Sequence, residues 1–313
     1  MGEARLFDAV LMVDWSAAAV PRRGRDSIWI AEVAVGGGAA RLANAPTRLE
    51  AMALVERRLD AAATPGERLL IGFDFPFGYP EGSVARLAAG RGAAWAVLWA
   101  LMREGIVEGA RNANNRMALA GRLNARFAPG PGPYWGNAST RDVEGVGRRK
   151  PDYAAVGVAE LRAVERAMMA EVGGRPSSCW QLAGNPTVGG QAMTGIAALA
   201  RLRAKRGAQV VVWPFETGLA APCPAPGQAV LAEVYPSLIR GAVKAAARPG
   251  EIADRAQVRV LARAMARLDA AGALAPLFAG AAGLDPATRR AVEAGEAWVL
   301  GAGHAAVLAA AAG

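Results

Sequence analysis

The chain has little histidine, cysteine and lysine. Its 313 residues include one histidine, His304, and two cysteines, Cys179 and Cys223. The cysteines show no CxxC spacing and have no histidine-rich surroundings, which argues against a zinc knuckle and against a disulfide framework. Reduced thiols are typical of proteins in the cytoplasm, so we expect a cytoplasmic location.

Several sequence signals are also missing. No basic region followed by an apolar core precedes the first strand-like run, and the alanine-rich C-terminal run is interrupted by His304 and by glycines. We therefore expect no signal peptide, no transmembrane segment and no membrane partner. No Walker A sequence, no Gly-x-Ser-x-Gly and no useful GxGxxG occurs, which argues against the enzyme classes that depend on these motifs.

The composition has an excess of positive charge. The formal net charge is +9, and hydrophobic residues make up 53% of the chain. This charge favours a phosphorylated small molecule or a nucleic acid as partner. The alternative is that arginine-rich coding raises the charge without a functional reason. The oligomeric state is left open by the sequence.

Two apolar runs end in an aspartate. Residues 69–74 end in Asp74 and are followed by Pro76, Gly78 and Pro80. Residues 9–14 end in Asp14 and are followed by small residues. Such runs, bounded by turn residues, are typical of buried strands. Because a buried charge is costly without a partner, each aspartate predicts a neighbouring cation, metal or set of hydrogen-bond donors.

Four predicted strands end in an acidic residue, and we treat all four as candidate catalytic residues: Asp14, Asp74, Glu216 and Glu233. Clustered carboxylates repel one another unless a divalent cation neutralises them, and oxygen ligands suit Mg²⁺ or Mn²⁺. We take Asp14, Asp74 and Glu233 as the candidate metal ligands. The alternative is that each acid caps a helix or pairs with one of the many arginines.

The order of elements predicts an α/β fold. Three antiparallel strands, a helix and a further strand are the order of a ribonuclease H-like core, with a mixed five-stranded sheet and flanking helices. We expect this core in residues 1–80 and 206–313, and a large, mainly helical insertion or cap in 81–205. The predicted strands are 9–14, 27–33, 39–42, 69–74, 208–216 and 228–235, and the predicted helices are 48–62, 94–108, 115–127, 159–171, 194–205, 252–271 and 286–313.

Basic and aromatic residues provide candidates for substrate binding. Arginine and lysine side chains bind phosphate, and aromatic side chains can stack on a base. The alternative readings are solvated surface for the charged residues and core packing for the aromatic ones. The candidate substrate-binding residues are Ser16, Arg116, Tyr134, Trp135, Arg141, Lys150, Gln181 and Asn185.

The C-terminal region holds two further candidates. Glu296 and His304 are eight residues apart, which places them on one face of an unbroken helix. His304 would then act as a general base or a proton carrier beside the acids. The alternative is a packed histidine with one hydrogen bond, and Gly301 and Gly303 weaken the assumption of an unbroken helix.

Three segments resemble the DUF429 family: VDWSA at 13–17, IGFDFPFGYP at 71–80 and AEVYPSL at 232–238. The resemblance implies a ribonuclease H-like fold, with Asp14, Asp74 and Glu233 at the acidic positions of the family. Ribonuclease H-like enzymes usually add a last acid from a C-terminal helix, for which the candidates are Glu296, Glu293 and Asp269. The chain is similar to an alphaproteobacterial branch whose members often carry labels naming molybdopterin guanine dinucleotide or cobalamin biosynthesis.

The preferred hypothesis is a divalent-metal-dependent nuclease or phosphoryl-transfer enzyme acting on a nucleotide or a nucleic acid, with Mg²⁺ or Mn²⁺ as cofactor. One alternative is a non-catalytic accessory protein that binds a nucleotide or cofactor. Another is an actin-like ATP-binding enzyme, for which residues 14–17 make a poor phosphate loop.

Overall fold

The computed structural model describes residues 5–87, 92–127, 129–184 and 187–313. Its sheet is built from six strands: β1 (Ala9–Asp14), β2 (Ile28–Ala34), β3 (Arg41–Ala45), β4 (Leu69–Phe73), β5 (Val210–Val212) and β6 (Ala229–Glu233). Their spatial order is β3-β2-β1-β4-β6-β5. The α/β class and the mixed sheet are confirmed. The predicted number of five strands is wrong, because both apolar runs after residue 206 pair with the sheet.

The sheet has an antiparallel half and a parallel half. Strands β1, β2 and β3 are antiparallel neighbours, joined in part by a turn at Gly36–Gly38 where all three glycines have a positive φ. Strands β1, β4, β6 and β5 run parallel. The carboxyl ends of parallel strands meet at the same edge of a sheet, so β1, β4 and β6 bring their last residues together there.

The helices are α1 (Arg48–Ala63), α2 (Ser83–Leu87), α3 (Ala94–Gly105), α4 (Arg116–Asn124), α5 (Tyr153–Val156), α6 (Ala163–Val172), α7 (Val188–Arg206), α8 (Arg240–Ala246), α9 (Ala253–Ala270), α10 (Pro286–Ala291) and α11 (Ala305–Ala312). Helix α1 begins after Thr47, whose hydroxyl accepts the Glu50 N–H at 3.2 Å and so caps the helix. No helix in the described ranges combines the length and the apolar character that crossing a bilayer requires.

The two faces of the sheet bury separate apolar clusters. On one face, Leu11 and Ile71 share a cluster with residues of α1, α3 and α7. On the other face, Val10 and Met12 share a cluster with residues of α8, α9 and α11. The helices between β4 and β5, which the sequence predicts as an insertion, therefore contribute to the same core as the sheet.

The C-terminal prediction of one long helix is wrong. Helix α10 continues into a π-helical turn at Val292–Glu296, and the helix then ends at Ala297, whose φ is +66°. Gly301 and Gly303 also have positive φ values, and α11 begins only at Ala305. Because this region is not one helix, Glu296 and His304 do not share a helix face.

Candidate active site at the carboxyl ends of the central strands

Asp14 and Asp74 lie side by side at the end of two neighbouring parallel strands. The register pairs Val13 with Phe73, so the next residue of each strand is the aspartate. Their carboxyl groups are within hydrogen-bonding reach of each other. The backbone N–H of Trp15 donates to Asp74 Oδ1 at 2.6 Å, which fixes one oxygen of the pair. The two strand-end aspartates therefore lie next to each other.

A third acid, Asp254, lies near this pair of aspartates. It lies in the first turn of α9, and its Oδ2 accepts the Asp26 N–H at 2.7 Å. Its negative charge acts on both Asp14 and Asp74. Asp254 cannot be recognised from the sequence, because an acid in the first turn of a helix is common and is not a sign of a site.

In the part of the chain that the structure describes, no cation is among the strongest influences on the two aspartates. Burial raises the pKa of Asp14 well above its ordinary value, and the acidic neighbours Asp74, Asp254 and Asp26 raise it further. Burial raises the pKa of Asp74 to about 7, although the bonds from Asp14 and from the Trp15 N–H lower it. Two adjoining carboxyl groups in this setting must share a proton or bind a cation.

Glu233 lines the same cavity as Asp74 but is held in a different way. It lies opposite Phe73, so the pleat directs its side chain to the face opposite the two aspartates. Its Oε1 accepts a bond from the Arg162 guanidinium at 2.6 Å, and its Oε2 accepts the Phe77 N–H at 2.9 Å. Glu233 thus has a cationic partner already, and it does not join the aspartates as the predicted third metal ligand.

Arg162 organises a buried charge network beside the cleft. It also pairs with Glu165, and it donates to the backbone oxygen of Glu296 at 2.8 Å. The pKa of Glu233 is raised by burial and lowered by Arg162, with burial the larger effect. The Glu296 carboxylate accepts the N–H groups of Glu81 (2.5 Å) and Ala163 (2.7 Å), so it joins two segments of backbone rather than a catalytic site.

Two cavities meet at the aspartates. The first, of about 470 Å³, is lined by residues that include Asp14, Ser16 and Arg116; we call it the Asp14 cavity. The second, of about 380 Å³, is lined by residues that include Asp74 and Glu233; we call it the Asp74 cavity. Gln191 and Asp254 line both cavities, so the two form one cleft that passes over the aspartate pair.

The donor set fits a hard divalent cation only in part. In the ranges that the structure describes, no three histidine, cysteine, aspartate or glutamate side chains are arranged to hold a metal ion. The predicted set of Asp14, Asp74 and Glu233 is therefore not assembled. Mg²⁺, however, is often bound by one or two carboxylates and completes its shell with water or substrate oxygens. Asp14 and Asp74 supply that smaller set.

Two other predicted catalytic residues lie away from the cleft. Glu216 pairs with Arg203 at 2.7 Å and accepts the Val212 N–H at 2.8 Å. His304 lies at the start of α11, and its Nε2 is 3.0 Å from the backbone oxygen of Gly280. Neither residue lines the Asp14 or the Asp74 cavity. His304 therefore corresponds to the packed histidine with one hydrogen bond.

Of the predicted substrate-binding residues, Ser16 and Arg116 line the Asp14 cavity. Tyr134 is fully buried and packs edge-on against the buried Trp180 ring, so it cannot stack on a ligand. Trp135 and Gln181 pair with each other in an isolated bridge, and Trp135 Nε1 donates to the Tyr153 hydroxyl at 3.0 Å. These aromatic residues are core packing.

The remaining basic candidates belong to a surface loop. The side chain of Lys150 pairs with Glu160 at 2.8 Å, and Arg141 is exposed. A cavity of about 1140 Å³ also lies in this loop region and is lined by Arg148 and Arg149 but by neither aspartate. Asn185 lies outside the described residues.

Comparisons of the chain with protein-family models, with curated proteins and with solved structures give no match. The geometry of the cleft is therefore the basis for a functional assignment.

Proposed function

We propose that the chain is a divalent-metal-dependent enzyme that transfers or hydrolyses a phosphoryl group of a nucleotide or nucleic acid. A ribonuclease H-like fold and membership of the DUF429 family are part of this proposal. The observation that carries it is the pair of adjoining carboxyl groups of Asp14 and Asp74, whose strongest charged neighbours are also acids. A divalent cation would relieve their repulsion.

The roles of the residues follow from their positions. Asp14 and Asp74 would hold Mg²⁺ or Mn²⁺, which when bound stabilises charge on a phosphoryl oxygen. Asp254 lines the same cleft and is suited to accept the proton of an attacking water. Arg116 and Ser16 line the same cavity and would bind the phosphoryl oxygens.

The order of the strands supports the fold proposal. The first four strands have the order β3-β2-β1-β4, with three antiparallel strands followed by a parallel one. The additional edge strand β5 pairs with β6 and leaves the contact between β1 and β4 unchanged. Both aspartates are on these two central strands or directly after them.

The test is an activity screen with and without metal. The purified chain would be incubated with nucleotides, bis(p-nitrophenyl) phosphate and single-stranded DNA in Mg²⁺, in Mn²⁺ and in EDTA. We expect turnover only with metal, and a loss of at least about 100-fold in Asp14→Asn and Asp74→Asn. Asp60→Asn is the matched control, because Asp60 is exposed and pairs with Arg206 on the outside of α1. Full activity of Asp74→Asn would refute the proposal.

A second candidate function uses the same pair without metal. The contact between the carboxyl groups, with the pKa of Asp74 raised to about 7, would allow one shared proton to serve in acid and base catalysis. Turnover that persists in EDTA and disappears in Asp74→Asn would favour this candidate over the first.

A further inference from the structure

The cleft continues beyond Asp74 into a third cavity. This cavity, of about 260 Å³, shares five lining residues with the Asp74 cavity: Met168, Pro176, Tyr235, Ser237 and Arg240. Since the Asp74 cavity already joins the Asp14 cavity through Gln191 and Asp254, the three form one continuous groove. The aspartates lie between its two ends.

Each end of this groove holds an arginine that has no carboxylate partner among the described residues. At one end, Arg116 Nη1 donates to Asn114 Oδ1 at 3.1 Å, while its buried Nε has no partner. Burial and the nearby Arg48 lower the pKa of Arg116, although the charge of Glu108 raises it. At the other end, the exposed Arg240 makes only a long contact of 3.4 Å with the Ser237 hydroxyl.

The two arginines differ from the buried arginines that are paired with acids, as Arg162 is with Glu233 and Arg48 with Glu108. Among the described residues of the groove, Asp14 and Asp74 lie in the middle without an ion pair, and Arg116 and Arg240 lie towards the ends without one. A ligand that carries anionic groups at the arginines, with a divalent cation at the aspartates, would satisfy both.

We infer that the substrate carries a second phosphate besides the reacting one, and that Arg240 binds it. This inference rests on the proposed function, which places the reacting phosphate at Asp14 and Asp74 beside Arg116. The half-buried Tyr235 lines the wall between Asp74 and Arg240 and would contact the part of the substrate that joins the two phosphates. Arg175 lies at the same end but pairs with Glu160 at 3.1 Å.

The test compares ligands that differ by one phosphate. Calorimetric titration with CaCl₂ present would measure the binding of 5′-phosphorylated thymidine dinucleotide (pTpT) and of the same dinucleotide without the terminal phosphate (TpT). We expect pTpT to bind at least about tenfold more tightly, as a charge-assisted hydrogen bond allows. In Arg240→Gln this ratio should fall to about one. The matched control is Arg290→Gln, because Arg290 is exposed on α10 and lines no part of the groove.

Further arms separate the sources of the phosphate and the two proposals. The bisphosphate of 1,3-propanediol carries two phosphates and no base. If this bisphosphate binds as tightly as pTpT and its binding depends on Arg240, the subsite recognises phosphate alone. If only pTpT binds tightly and depends on Arg240, the substrate is a nucleotide. Equal effects of Arg240→Gln on pTpT and TpT, or no binding of any probe, would overturn the inference.

The two proposals fail in different ways. Metal-dependent turnover that requires Asp74 but is unaffected by the terminal phosphate and by Arg240→Gln would overturn the second-phosphate site and leave the enzyme proposal intact. A binding ratio that depends on Arg240, without turnover under any metal condition, would overturn the enzyme proposal and leave the second-phosphate site intact.

Discussion

At the scale of single residues, the role of a buried acid depends on the group that faces it. Glu233 and Asp74 follow neighbouring strands and line one cavity. Glu233 faces the Arg162 guanidinium, whereas Asp74 faces another carboxyl group. The first acid therefore stabilises the fold, and the second retains a charge that a proton or a ligand must balance.

Replacing Asp74 should change how stability depends on pH. Folding raises the pKa of Asp74 from its ordinary value of about 4 to about 7. The folded chain therefore binds this proton more tightly than the unfolded chain, and the stabilisation present below pH 4 is lost as the pH rises towards 7. We expect the free energy of unfolding of the wild type, relative to Asp74→Asn, to fall between pH 4.5 and 7.5.

Urea unfolding of both proteins in EDTA measures this difference, because EDTA removes cations that would compete with the proton. One pKa unit corresponds to about 1.4 kcal/mol, so the trend is well above the error of the method. A difference between the two proteins that is constant across this pH range would show that the pKa of Asp74 is not raised.

Removing Arg162 should be far more costly than removing an exposed arginine. Arg162→Met would leave Glu165 and Glu233 buried without their cation, and breaking a buried pair in this way costs about 3–5 kcal/mol. The control is Arg203→Met, which breaks the partly exposed pair with Glu216 and should cost about 1 kcal/mol or less. Similar unfolding free energies for the two variants would contradict this account of the network.

Part of this site can be predicted from the sequence, and the rest depends on contacts between distant parts of the chain. Asp14 and Asp74 could be found because an apolar run that ends in one acid is a local pattern. The partner of Glu233 could not be predicted, since Arg162 lies 71 residues away in the chain and no local sequence pattern marks it. The position of Asp254 also depends on tertiary structure, because the packing of α9 against β1 and β2 brings it to the aspartates.

At the scale of elements, the segment after β4 is locked against the π-helical turn near the C-terminus. The Tyr79 N–H donates to the Gly295 oxygen at 3.2 Å, and the Glu81 N–H donates to Glu296. Gly78 lies in the middle of this contact. The backbone of one segment therefore approaches the other so closely that it leaves no room for a side chain at Gly78.

Gly78→Ala should destabilise the chain by several kcal/mol. A Cβ atom there would overlap the Gly295 oxygen and lie 2.8 Å from the Glu296 oxygen, and backbone atoms cannot move aside cheaply. Gly241→Ala is the control, because a Cβ atom at this position of α8 meets nothing within 4 Å. Alanine also favours helix there, so this variant should be neutral or slightly more stable.

Thermal unfolding followed by circular dichroism would compare these two variants with the wild type. An unchanged midpoint for Gly78→Ala would mean that the two segments can separate without loss of stability.

Periodicity and capping predict most of the elements, but not where a helix breaks. Helix α1 and helix α9 have nearly their predicted bounds, because Thr47 caps one and Pro249-Gly250 precede the other. The end of the C-terminal helix at Ala297 follows instead from tertiary contacts. The Glu233 backbone oxygen accepts the Leu300 N–H at 2.8 Å, which draws this segment into an extended path beside β6.

At the scale of the whole molecule, the helices between β4 and β5 share a core with the sheet. The Cys179 thiol can serve as a probe of this core, since it is buried in the same cluster as Leu11 and Ile71. Burial also raises the pKa of its thiol well above the ordinary value, which suppresses the reactive thiolate. Cys223, by contrast, is exposed.

In a Cys223→Ser variant, Cys179 should react with a thiol reagent only when the whole chain unfolds. The free energy of opening obtained from labelling rates should equal the free energy of unfolding from urea denaturation. Wild-type protein, in which Cys223 reacts at once, controls for reagent activity. Labelling of Cys179 much faster than global unfolding would show that residues 81–205 open as a separate unit.

The position of β4 in the sheet has a consequence for synthesis on the ribosome. One edge of β4 pairs with β1, which is made earlier, but the other edge pairs with β6, which ends 160 residues later at Glu233. At about 5–20 residues per second, the apolar run Leu69–Phe73 leaves that edge without its partner strand for about 8–30 s. An unpaired apolar edge is a template for aggregation. The nascent chain therefore passes through a period in which it depends on the intervening helices, or on a chaperone, to cover this strand.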